Sequence, residues 1–187
     1  MSSSFITNKD KFLSDIINGI LPKTDAVDFL VGYFYYSGYV QLSENLKSKH
    51  IRILVGLDIE IQISKHVCEV ENFRQKLLSR GVLKEQYYSE FVKAFNDTDF
   101  LDTAEKIEQF KMFYAKILDG TLEIRKTLDP CHSKMYLFVY NESMNEGGEL
   151  PGVMITGSSN LSYQGMQGHL ELNARFNDKA DYDEGHE

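Results

Sequence analysis

Two apolar runs limit what this chain can become. Residues 26–36, A-V-D-F-L-V-G-Y-F-Y-Y, and 50–57, H-I-R-I-L-V-G-L, are too continuously apolar for strands with one face in water. Each reads as a buried strand. S-G-Y at 37–39 breaks the first run, and 40–49 reads as a helix. Strand, helix and strand of these lengths form a βαβ unit, so the pair is parallel and the sheet belongs to an α/β fold. Ahead of it, Thr7 or Asn8 can cap a helix reaching about Leu21, with Phe12, Ile16, Ile17 and Ile20 on one face and Pro22 at its end.

The stretch 59–120 is polar and rich in Glu, Lys and Gln, with apolar spacing near the helical period. It reads as a helical insertion, with helices near 66–80, 84–95 and 101–118, a loop and cap at N-D-T-D 96–99, and Gly120 closing the block. Residues 121–128 alternate as a strand, and 132–140 form the next. N-E-S-M-N-E-G-G-E-L-P-G at 141–152 is turn chemistry, so 132–140 and 153–156 make a hairpin with a long loop. A short helix over 161–167 and a last strand over 170–176 follow. The expected domain spans 1–178. Residues 179–187 read as a polar tail, frayed or linking to a downstream region.

The chain has 187 residues, 42% of them apolar, enough for one domain with a core. A net charge of −8 argues against charge-driven coating of nucleic acid but leaves room for a local basic site. Cys68 and Cys131 are too few for a disulfide framework or an all-cysteine zinc site, which fits a reduced, cytoplasmic compartment. The start, M-S-S-S-F-I-T-N-K-D, lacks the apolar core of a signal peptide, and no apolar stretch approaches about 18 residues, so no membrane partner is expected.

C-H-S-K at 131–134 and G-S-S-N at 157–160 carry the chemistry. On a strand, His132 and Lys134 would project from one face. Gly157, Ser158, Ser159 and Asn160 follow the next strand, where glycine lets a ligand approach the backbone. A helix starting near Leu161 would present N–H groups to an anion. Glu171 and Asn173, again two apart, come from the last strand. A phosphate ester needs its charge held while a nucleophile approaches. Lys134, Asn160 and the turn N–H groups can hold it. His132 can attack as neutral imidazole, and Glu171 can fix its tautomer. This chemistry needs no metal and no cofactor. The carboxylate cluster of a two-metal nuclease is not visible.

The order H-S-K, G-S-S-N, then a glutamate eleven residues after the asparagine resembles the phospholipase D superfamily. The likeness is to nuclease-like members with one H-x-K motif per chain, found in metal-independent restriction endonucleases and at the N-termini of bacterial DEAD/DEAH-type helicases. F-L-V-G-Y-F-Y-Y-S-G near the start is similar to those helicase-linked domains. The resemblance implies a mixed β-sheet flanked by helices on both sides and a phosphohistidine intermediate. It implies His132 as the motif histidine, Lys134 as the phosphate-binding lysine, Ser158 and Asn160 as the polar turn, and Glu171 as the orienting carboxylate. A second histidine must protonate the leaving oxygen, so a homodimer supplying a second His132 is implied. Ser159, His169 and Asn173 are accessory positions.

Val139 stands where the full motif H-x-K-x4-D has aspartate, which single-motif nucleases often lack. His169-Leu170-Glu171 replaces the frequent Asn-x-Glu. The expected function is a metal-independent phosphodiesterase acting on DNA, as a module of a helicase or restriction system. The competing reading is a catalytically silent module docking nucleic acid or protein. A phospholipase ranks third, against Val139 and the single motif. The 141–152 loop or the insertion would shape substrate access. Cys131 and the aromatic run 33–36 read as packing residues, base stacking being the other role for the aromatics. His50 and His66 are given no role.

Overall fold

The computed structural model describes residues 4–59 and 104–186. β1 (Phe5–Ile6) is followed by α1 (Leu13–Ile20), β2 (Thr24–Phe34), α2 (Tyr36–Val40), α3 (Ser43–Leu46) and β3 (His50–Ile59). After the undescribed stretch come α4 (Ala104–Asp119), β4 (Leu122–Lys126), β5 (Met135–Tyr140), β6 (Gly152–Gly157), β7 (Asn173–Phe176) and α5 (Lys179–His186). The strands form one mixed sheet in the order β1-β7-β6-β5-β2-β3-β4. β2, β3 and β4 are parallel, and every other neighbouring pair is antiparallel. The seam between the two halves is β2 against β5.

The two apolar runs became β2 and β3, but only one face of each is sealed. Val27, Phe29, Val31, Ile51, Ile53 and Val55 lie in the core with side chains of α1 to α4. On the opposite face Arg52 holds Asp28 at 2.5 Å and Leu54 is 40% exposed. Alternation, hidden by the high apolar content, puts the charged residues on the open side. That face is partly covered by α5, whose Tyr182 lies over Gly152 and whose Gly185 meets Met154. So helices lie on both faces. Residues 179–186 form a helix instead of a tail, because burying Tyr182 gives the turn an apolar anchor. Asp178 caps it, accepting the Asp181 N–H at 3.0 Å.

Asn8 does accept a helix N–H, but from Leu13 at 2.8 Å, so α1 starts later than its cap residue suggests. Asn8 also donates to the Gly165 and His169 carbonyls, which ties α1 to the 165–169 turn. The expected 40–49 helix is replaced by α2 and α3. Gly38 does not break the chain. A Cβ there would stand 2.7 Å from the Leu161 carbonyl oxygen, so this glycine admits a close backbone approach. The 141–152 loop contains a 3₁₀ turn at Glu146–Gly148 and leaves β5 at its far end, away from His132. It therefore does not border the 131–134 segment. Of the expected insertion, the helix near 101–118 appears as α4. The helices near 66–80 and 84–95, the 96–99 loop, His66 and Cys68 lie outside the described residues. Among the described residues no helix is long and apolar enough to cross a membrane.

Candidate active site

β2 and β3 end at the same edge of the sheet where β5 and β7 begin and β6 ends. In an open α/β sheet this edge, at the carboxyl ends of the parallel strands, is where ligands bind. His132, Lys134, Ser158, Asn160 and Glu171 all lie there.

His132 and Lys134 are not in the strand. β2 pairs with β5 only as far as Leu30 opposite Met135. The preceding segment instead follows β3, where the Cys131 N–H donates to the Gly56 carbonyl at 3.0 Å. The two side chains consequently part. His132 is exposed, whereas Lys134 is 4% exposed. The Lys134 ammonium turns back to donate to the His132 carbonyl at 2.6 Å. Burial pushes its pKa down, and the charge of Glu171 opposes that shift. One of its three N–H bonds is thus used by the protein, leaving donor capacity for an anion.

The His132 ring and the Asn160 carboxamide meet over Gly32. A Cβ at Gly32 would stand 3.2 Å from His132 Cδ2 and 3.3 Å from Asn160 Oδ1. Asn160 Oδ1 accepts the Tyr33 N–H at 2.9 Å. That bond orients the amide and leaves its NH₂ as donor. Gly32 is the site residue that motif reasoning missed, and Tyr33, read first as packing, lies beside it. The signal was a glycine inside a strand, which marks a close approach.

Ser158 donates to Glu171 Oε2 and accepts the Leu172 N–H at 3.0 Å. Glu171 is therefore turned to Ser158, and among the described residues it makes no bond to the His132 ring. Glu171 and Asn173 do not share a strand face, since Glu171 precedes β7. Asn173 is fully buried and locks the turn from below. Its Oδ1 accepts the Ser159 N–H at 3.3 Å, and its Nδ2 donates to Ser159 Oγ at 2.9 Å. The Ser159 carbonyl accepts the Tyr136 hydroxyl at 2.9 Å, and burial pushes that phenol's pKa up. Ser159 and Asn173 are thus supports of the turn.

Gly157 lies against Asn173, with no space for a Cβ. The helix expected from Leu161 is a π-helical turn at Gln164–Gly168. It begins too late and is too short to offer the anion site expected of a helix start. The His169 ring is exposed, and its backbone bonds Gln164 and Asn8. Cys131 is half-buried. The Ser133 backbone N–H, then its hydroxyl, lower the thiol pKa. Among the described residues no three His, Cys, Asp or Glu side chains gather as a metal site.

The strand-end arrangement brings together an exposed imidazole, an amide donor and a largely buried cation. His132, the Asn160 amide and Lys134 can together hold an anion beside a nucleophile or proton carrier. Compared with models of known protein families the chain matches none, and no curated protein matches it.

Proposed function

We propose that this chain is a metal-independent phosphodiesterase that cleaves DNA through a phosphohistidine, as a homodimer. The observation that supports it best is the meeting of His132 and Asn160 over Gly32, next to buried Lys134. In this reading a His132 ring nitrogen attacks phosphorus, and the bond to the leaving oxygen breaks. The partner subunit's His132 protonates that oxygen. Water then cleaves the P–N bond and restores the imidazole. Lys134 and the Asn160 NH₂ hold the non-bridging oxygens, where charge builds up. A phosphate oxygen that takes the Ser158 hydroxyl proton as a hydrogen bond would free Glu171 to orient His132. The resemblance to helicase-linked and restriction domains supports service as a module of such a system.

The Ser158–Glu171 bond favours one other reading. A carboxylate held off the imidazole fits a silent docking module. Incubation of supercoiled plasmid with the full chain in EDTA separates the two. Expected are nicked circles, a dimer by light scattering, and an acid-labile phosphoprotein from labelled substrate. A folded dimer giving neither nicks nor label would overturn the hydrolytic reading in favour of docking.

A further inference from the structure

The aromatic run 33–36 is split by strand alternation. Phe34 and Tyr36 are buried, while Tyr33 and Tyr35 point out. Tyr33 is the one beside the site. Its ring lies edge to face with His132, the centroids 6.4 Å apart at 82°. Its backbone is fixed by Asn160, and a bulge displaces β2 against β3 at this point.

Tyr33 also lines an opening of about 480 Å³ at the ends of β2, β3 and β4. It is a shallow depression open to solvent, not an enclosed cavity. Leu57, Leu128 and Pro130 line it with apolar surface, and Leu128 is fully exposed. Asp58 and Lys126 stand in the same wall, 3.8 Å apart and both open to water.

We infer that this opening takes one unpaired nucleobase of the DNA strand, stacked on Tyr33, so that the adjoining phosphate falls at His132. The inference rests on the phosphodiesterase reading and adds its substrate class, single-stranded over duplex. The chemistry matches on three counts. A flat base needs an aromatic or apolar face, which Tyr33 and Leu128 provide. Its edge carries donors, which the Asp58 carboxylate accepts. The phosphate on its other flank is anionic too, which Lys126 meets. Tyr33 and His132 are neighbours, so base and scissile phosphate can belong to one nucleotide. A duplex base has both faces stacked and its edge paired, so it must flip out before it can enter.

The test is fluorescence anisotropy in EDTA on the full chain. The probes are a labelled single strand, the same strand as duplex, and an abasic strand of equal length. The single strand is expected to bind about tenfold or more tighter than the other two. Tyr33→Ala removes that advantage and Tyr33→Phe keeps it. Unchanged binding by Tyr33→Ala, or equal binding of duplex and single strand, overturns the inference. A chain that shows the Tyr33-dependent preference but never nicks plasmid retains the base site and loses the hydrolytic reading. Nicking without Tyr33 dependence does the reverse.

Discussion

His132→Ala and Lys134→Met, assayed side by side for plasmid nicking in EDTA, are expected to lose activity while unfolding in urea like the wild type. His132 is exposed, and no hydrogen bond of its ring holds the described structure together. Its removal should leave stability within about 0.5 kcal/mol and reduce turnover by roughly 10⁴-fold or more, as loss of a nucleophile does. Lys134 is the sharper case, because its burial makes a structural role equally natural. Methionine fills nearly the same volume without the charge. The variant loses one bond to the His132 carbonyl but also the cost of keeping an ammonium out of water. These terms offset, so stability should move by about 1 kcal/mol at most. Loss of a cation aimed at developing charge costs roughly 10²–10³-fold. A purely structural lysine would give the opposite pattern, with urea midpoint and activity falling together.

Gly56→Ala is expected to destabilise the chain by about 3 kcal/mol or more. A Cβ there would stand 2.6 Å from the Cys131 carbonyl carbon and 2.8 Å from its Cβ, and would overlap its carbonyl oxygen. Neither side can yield cheaply. Gly56 lies in β3, and its own carbonyl accepts Cys131 N–H at 3.0 Å and Thr127 Oγ1 at 3.3 Å. The methyl would push the 127–134 segment off the sheet, and His132 is the next residue along it. Gly19→Ala is the internal control. Gly19 is exposed in α1, with nothing within 4 Å of a built Cβ. Alanine there should stabilise by about 0.5–1 kcal/mol. Urea titration of the two variants should move the midpoint in opposite directions.

The strands around the site were legible because their residues carry a strong local signal. The runs at 26–36 and 50–57 could only be strands, though their open face was hidden by apolar content, and N-E-G-G between two apolar runs could only turn. What was misread depended on contacts between distant residues. Their spacing puts His132 and Lys134 on one strand face, but the bond from Cys131 to Gly56 holds that segment away from β2. Glu171 was paired with His132 by motif order, and no local pattern could show that Ser158 competes for it. Gly38 looked like a breaker because a sequence does not show the Leu161 backbone lying against it. The tail reads as unstructured because one tyrosine in a nine-residue, mostly polar stretch is a weak signal until Gly152 leaves room for it. β1, two residues long, exists only as the edge partner of β7.

The seam between β2 and β5 also sets when the site can come into being. Roughly a hundred residues separate the two strands along the chain, and a ribosome adds about 5–20 residues each second. The parallel pair of β2 and β3 therefore waits on the order of ten seconds before the segment bearing His132 emerges. Asn160 and Glu171 follow later. During that interval the nascent chain holds the residues of the platform, Gly32 and Tyr33 among them, but not the groups that meet over it. Chemistry that needs His132 and Asn160 together starts only after both have been made, and a fragment ending before residue 132 carries the platform without it.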